Sequence, residues 1–151
     1  IELSGLGDIK FRVDGKEIVL SDSWTYKGIM VSDMPNLAWS FGYIRSSWTL
    51  RSDMIAKFVC RLLGHLDQIG AQQCTPRLRK EDLGMNGKAF IDPEDFAPGY
   101  MRRGTSRLPK QGNLEPWTNI QDYYVESESI PGSSLDDGVL IFDNPKDEKT
   151  A

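Results

Sequence analysis

The stretch FGYIRSSWTLRSDMIAKFVCRLLGHLDQIG (residues 41–70) decides the fold. Leu50, Met54, Phe58, Leu62 and Leu66 recur every four residues, and Ile55, Val59, Leu63 and Ile69 widen that stripe. Apolar residues at this spacing share one face of an α-helix, so the pattern predicts one long amphipathic helix. Arg51, Lys57, Arg61 and Asp67 are expected on its opposite, solvated side. Ser46, Ser47 and Thr49 carry oxygens of the kind that cap a helix N-terminus, and Gly70 suits the C-terminal end.

Upstream of the helix, Ile9, Phe11 and Val13 alternate with polar residues, Asp14-Gly15 follows, and KEIVL comes next. Asp-Gly is a favoured two-residue hairpin turn, so residues 9–20 read as a β-hairpin. Residues 26–31 read as another strand, Met34-Pro35-Asn36 as a turn, and 37–41 as a short buried strand. Gly5 and Gly7 have the spacing of part of a dinucleotide fingerprint, but no third glycine follows and no helix opens there, so they read as a turn.

From residue 71 the character changes. Gly and Pro recur and apolar residues become sparse and aperiodic. The expectation is a unit over 1–70 and a loop-rich extension over 71–151 that wraps over a neighbour. Within the extension, 122–128 reads as one or two helical turns, 139–142 as a short strand and KDEKTA (146–151) as a frayed end. The fold class expected is α+β: a β-hairpin, one long amphipathic helix and a loop-rich extension.

The chain has 151 residues, room for one ordinary domain. Its net charge of -4 and pI near 5.0 point away from nucleic acid. No apolar run approaches the roughly 18 residues that a membrane-spanning helix needs. Cys60 and Cys74 do not form a disulfide framework, and Cys60, among Phe58, Val59, Leu62 and Leu63, is expected to be buried and inert. A reducing, cytoplasmic setting fits that usage, with association to a membrane left open. Ile1 opens straight into patterned sequence, without Met or a basic-then-apolar leader, which is the expectation for a processed protein or a fragment.

Residues for self-sufficient chemistry are few. His65 is the only histidine and lies near the helix end, where it reads as a surface residue or a general base. The surface reading weighs more, because no Ser or Cys is marked as its partner. No Cys/His spacing matches a zinc site. Glu94 and Asp95 follow Pro93 and read as a solvated turn or helix start. What remains is the opening stretch: a buried run, Gly42, a polar turn and then a helix. The first turn of a helix carries unpaired N–H groups and partial positive charge, a natural seat for an anionic or electron-rich group. The alternative is a capped helix with nothing bound.

PNLAWSFGYIRSSWTLRSDMIAKFVCRLL (35–63) closely resembles the late segment of class B flavoprotein monooxygenases, in particular the bacterial FAD-containing, ethionamide-activating type related to Baeyer–Villiger enzymes. FRVDGKEIVLSDSWTYKGIMVSDMPN (11–36) resembles the same proteins, as do PGYMRRGTSRLPKQG (98–112), EPW (115–117) with Tyr123 or Tyr124, and DDGVLIFDNP (136–145). The blocks occur in the family's order. The resemblance implies a C-terminal portion of a larger enzyme, whose 1–70 unit ends an α/β, Rossmann-like FAD-binding domain. It implies FAD and NADPH as cofactors, with the nucleotide fingerprints in N-terminal domains that this chain lacks.

The implied reaction is monooxygenation through a C4a-peroxyflavin, inserting oxygen into a ketone or oxidising sulfur or nitrogen in a small-molecule substrate. The implied cofactor-binding residues are Ser46, Ser47, Trp48 and Thr49, with backbone donors at 47–49 toward the pyrimidine end of the flavin. No catalytic residue and no metal ligand is implied. Trp48 reads equally as a neighbour of nicotinamide or substrate and as core packing. Arg102 and Arg103 read as structural or solvated cations more readily than as NADPH-phosphate contacts. The isolated chain is expected to be inactive and to expose a docking surface through which two copies can pair. The alternative is a free-standing, non-catalytic protein-binding module that engages a partner through the Trp- and Tyr-containing extension.

Overall fold

The computed structural model describes residues 2–92 and 98–144. Glu94, Asp95 and the 146–151 tail, for which expectations are given above, lie outside the described residues.

The Asp14-Gly15 turn forms as its composition requires. Both residues take positive φ, 49° and 76°, and they join β1 (Phe11–Val13) to β2 (Lys16–Ile18) as an antiparallel hairpin. The strand expected over 26–31 is instead a second hairpin, β3 (Thr25–Tyr26) against β4 (Met30–Val31). Lys27 and Gly28 both adopt positive φ, 51° and 66°, which reverses the chain where continuous extension was expected. The strand expected over 37–41 is also absent. Ala38 makes one isolated bridge to Met30 and the rest is irregular, because the aromatic side chains there pack as a cluster without a ladder.

The long helix is α1 (Trp48–Ile69), closed by Gly70 in the left-handed conformation. It buries Met54, Ile55, Phe58, Leu62 and Leu66. The stripe is narrower than the sequence implies, for Leu50, Leu63 and Ile69 are all exposed. The extension supplies the other side of this core: Trp117, Ile130, Leu135, Val139 and Leu140 belong to the same cluster as Tyr26, Ile29, Met30 and α1. Trp117, Tyr26 and Phe58 are fully buried, and each such side chain contributes on the order of 2–3 kcal/mol of burial free energy.

Within the extension, β5 (Gln73–Pro76) pairs antiparallel with β6 (Leu140–Asp143), tying the two ends of the segment together. A short α2 (Gly99–Gly104) carries Arg102 and Arg103, both exposed. The helical turns expected near 122–128 are α3 (Tyr123–Ser129). Asp122 caps α3, its Oδ1 accepting from the N–H groups of Tyr124 and Val125 at 2.9 and 3.2 Å. Among the described residues, three two-stranded antiparallel sheets with one dominant helix make the architecture α+β. Gly5 and Gly7 lie in a 3-10 turn. No described helix is long and apolar enough to cross a membrane.

Besides these exposed apolar residues, Cys60 and Arg51 on α1 depart from expectation. Cys60 is exposed and not buried. At 100° per residue it points away from Phe58 and Leu62, so its apolar neighbours in sequence are not its neighbours in space. Cys74 is the buried thiol, and burial pushes its pKa up to about 12, with Asp137 and Asp143 adding to the rise. A maleimide is therefore expected to label one cysteine per native chain, at Cys60, and two in denaturant; native labelling at Cys74 would contradict this packing. Arg51 is the second departure: it is fully buried.

Candidate functional site

The site is built around the entry to α1. Gly42 is required there because a Cβ at that position would run into the Trp48 indole. Trp48 lies over Gly42 with its ring 5.3 Å from that of Phe41, and it remains 47% exposed. One face is thus packed and the other is open to solvent. Phe41 in turn packs on Trp39 and Phe90, with ring centroids at 6.0 and 5.2 Å.

Ser46, Ser47, Trp48 and Thr49 are all exposed, side by side at the mouth of α1. Ser47 occupies the N-cap position in extended conformation, but it makes no side-chain capping bond. Its Oγ pairs with Thr49 Oγ1 at 2.8 Å instead. The first turn of α1 also holds no acidic residue. The expected cap chemistry is therefore absent, and the first-turn amides are left without a side-chain acceptor. The mouth keeps the partial positive charge of a 22-residue helix.

A groove of about 600 Å³ runs beside this mouth. Ile44, Arg45, Ser46 and Leu50 form one wall, and residues 120–124 form the other. Its volume falls in the range of small-molecule sites, roughly 300–1,000 Å³. Gln121 joins the walls: its Oε1 accepts from Ile44 N at 3.1 Å, and its Nε2 donates to Gly42 O at 3.3 Å. Tyr43 and Tyr123 meet edge to face beneath, at 6.1 Å. The Tyr43 hydroxyl has its pKa raised above the ordinary phenol range, first by burial and then by the Glu126 carboxylate beside it.

Arg51 underlies the whole arrangement. Its Nε and Nη2 donate to the two oxygens of Glu126, each at 2.9 Å. Nη2 also donates to Asn119 Oδ1 at 2.8 Å and Lys27 O at 3.2 Å, and Nη1 donates to Phe41 O at 2.9 Å. One guanidinium therefore fastens the β3–β4 turn, the irregular entry to α1 at Phe41, the 119–121 segment and α3. Sequence reading missed Arg51, Asn119, Gln121 and Glu126. Of these, Arg51 left a signal: positions 51, 55, 58, 62 and 66 follow helical spacing, so it falls on the apolar stripe.

His65 is half-buried and packs edge to face on Phe142 at 4.9 Å, which is a packing role. Arg107 pairs with Glu2 at 2.6 Å near α2. Among the described residues, no three His, Cys, Asp or Glu side chains are grouped to hold a metal ion. The site therefore offers backbone donors, a positive field, hydroxyls and an aromatic wall. Groups of this kind are chemically able to hold and orient an electron-rich ring or an anion.

The probable FAD-binding monooxygenase AlmA of Acinetobacter baylyi is 37% identical over 147 residues, covering 97% of this chain and 29% of that protein. Over nearly its whole length, this chain is homologous to bacterial FAD-containing monooxygenases. The putative FAD-containing monooxygenase MymA of Mycobacterium tuberculosis is 36% identical over 142 residues, 94% of this chain and 28% of that protein. The FAD-containing monooxygenase EthA of Mycolicibacterium smegmatis is 36% identical over 136 residues, 90% of this chain and 27% of that protein. The chain thus spans less than a third of the length of these relatives. No protein-family model and no solved structure matches it.

Proposed function

We propose that this chain is the C-terminal portion of an FAD- and NADPH-dependent monooxygenase, and that the mouth of α1 faces the flavin. Residues 1–70 would close the Rossmann-like FAD-binding domain, and 71–151 would form an extension over it. The observation that carries this reading is the uncapped, solvent-facing start of α1 beside the groove, in a chain homologous to FAD-containing monooxygenases. When bound, the flavin supplies the redox chemistry, taking a hydride from NADPH and activating O2 for transfer of one oxygen atom to a ketone, sulfur or nitrogen centre.

The residues present fit that group. The amides of Trp48 and Thr49 would donate hydrogen bonds to an electron-rich ring edge, and the Ser46 and Ser47 hydroxyls would add donors beside them. The helix field favours negative charge by about 1 kcal/mol, reaching about 2 where the site is partly buried. That magnitude tunes a cofactor and does not hold it alone, so the remaining binding energy belongs to parts of the enzyme outside this chain. The Trp48 indole, seated on Gly42, shields one side of the mouth from water. Gln121 holds the entry loop in the register that aims the amides outward.

The test compares two products: the uninterrupted open reading frame that carries this chain, and the chain alone. The long product is expected to purify with one FAD and to consume O2 in an NADPH-dependent manner, while the chain alone is colourless and inert toward NADPH. Stoichiometric FAD on the isolated chain, or a long product free of flavin, overturns the proposal.

A further inference from the structure

Arg51 is the fourth residue of α1 and is 0% exposed, so a whole positive charge sits beneath the amides of the mouth. Its nearest counter-charge is Glu126 of α3, also buried and bonded to it through both carboxylate oxygens. Asn119 is the neutral acceptor on the guanidinium's other side, and its own Nδ2 donates to Phe90 O at 2.8 Å. A helix N-terminus is worth about half an elementary charge. An unbalanced Arg51 would add a whole one, so the state of the pair outweighs the helix in setting the local field.

We propose that Glu126 is a positioning residue that sets the electrostatic potential at the α1 mouth: by pairing with Arg51 it cancels a buried charge below the donors and so fixes how readily a flavin held there accepts electrons. This inference rests on the monooxygenase reading above. The same pair fixes geometry, because Arg51 also binds the carbonyl of Phe41, one residue before Gly42 and the seat of Trp48. A geometric role and an electrostatic one therefore need separating, and near-isosteric substitutions of opposite charge sign do so.

Glu126→Gln keeps shape and an acceptor while removing a negative charge. Asn119→Asp keeps shape and the acceptor toward Arg51 while adding one. Reduction places negative charge on the flavin, so positive potential raises its midpoint and negative potential lowers it. In the full-length, FAD-loaded enzyme, the flavin midpoint potential measured by dye equilibration is expected to rise in Glu126→Gln and to fall in Asn119→Asp. A clamp that acted through shape alone would be loosened by both changes and would shift the potential in one direction. Shifts of the same sign, or no shift in either variant, overturn the inference while leaving the flavin assignment intact. Should Glu126→Gln fail to fold, Asn119→Asp decides alone, and a potential that does not fall overturns it. A wild-type enzyme without flavin sinks the monooxygenase reading and this inference with it.

Discussion

Glu126→Ala is expected to lower the stability of the protein by about 3–5 kcal/mol, read as a shift in the urea midpoint. Arg51 and Glu126 side chains are 0% and 2% exposed, so neither can turn to water when its partner is lost. Truncating Glu126 leaves Arg51 with the carbonyls of Phe41 and Lys27 and the Asn119 amide oxygen. Those acceptors satisfy hydrogen bonds but carry no net charge, so a desolvated cation remains uncompensated. With total stabilities of domains near 5–15 kcal/mol, one such loss takes much of the margin. The contrast is Lys57–Asp53, an i,i+4 pair at 2.7 Å whose side chains are 67% and 66% exposed. Asp53→Ala is expected to change the midpoint negligibly, since exposed pairs contribute about 0–1 kcal/mol. The double change Arg51→Met with Glu126→Leu removes both charges together and is expected to recover only part of the loss, because the acceptors at Phe41 O, Lys27 O and Asn119 Oδ1 lose their donor. A Glu126→Ala cost below about 1 kcal/mol would show that water reaches the guanidinium.

The same pair marks where sequence reading succeeds and stops. Local rules were enough for the Asp14-Gly15 hairpin, for α1 and its Gly70 terminus, and for α3 behind Asp122, because each is decided within a few residues of chain. They failed over 26–31, where the apolar content of Tyr26, Ile29, Met30 and Val31 hid the reversal that Lys27-Gly28 makes. They failed again over 37–41, where a buried apolar run was satisfied by ring packing and not by strand pairing. Cys60 is read from its sequence neighbours and Arg51 from its charge, although helical spacing alone reverses both readings. The acceptors of Arg51 lie beyond any local rule: Glu126 is 75 residues away and Asn119 is 68. The extension has no periodicity because it meets α1 one contact at a time, as Trp117 does in the shared core and Ser133 does through Arg61 of α1. Arg61 Nη1, for instance, donates to Ser133 O at 2.6 Å.

Gly28→Ala is expected to cost about 2–5 kcal/mol, the sum of two separable penalties. Gly28 has φ of +66°, where a side chain adds about 1–2 kcal/mol of backbone strain. Its new methyl would also meet Asn119 Oδ1 and Arg51 Nη2, the two atoms at the centre of the clamp. Neither can withdraw freely, since each is held by further bonds, so the collision adds about 1–3 kcal/mol of overpacking. Gly15 provides the control. Its φ is +76° and nothing lies within 4 Å of a Cβ built there, so Gly15→Ala carries the backbone penalty alone. The difference between the two urea midpoints therefore reports the rigidity of the Arg51 clamp directly. Equal costs would mean that the clamp yields to a methyl group, and a support that yields so easily could not hold the α1 mouth in one position against a flavin.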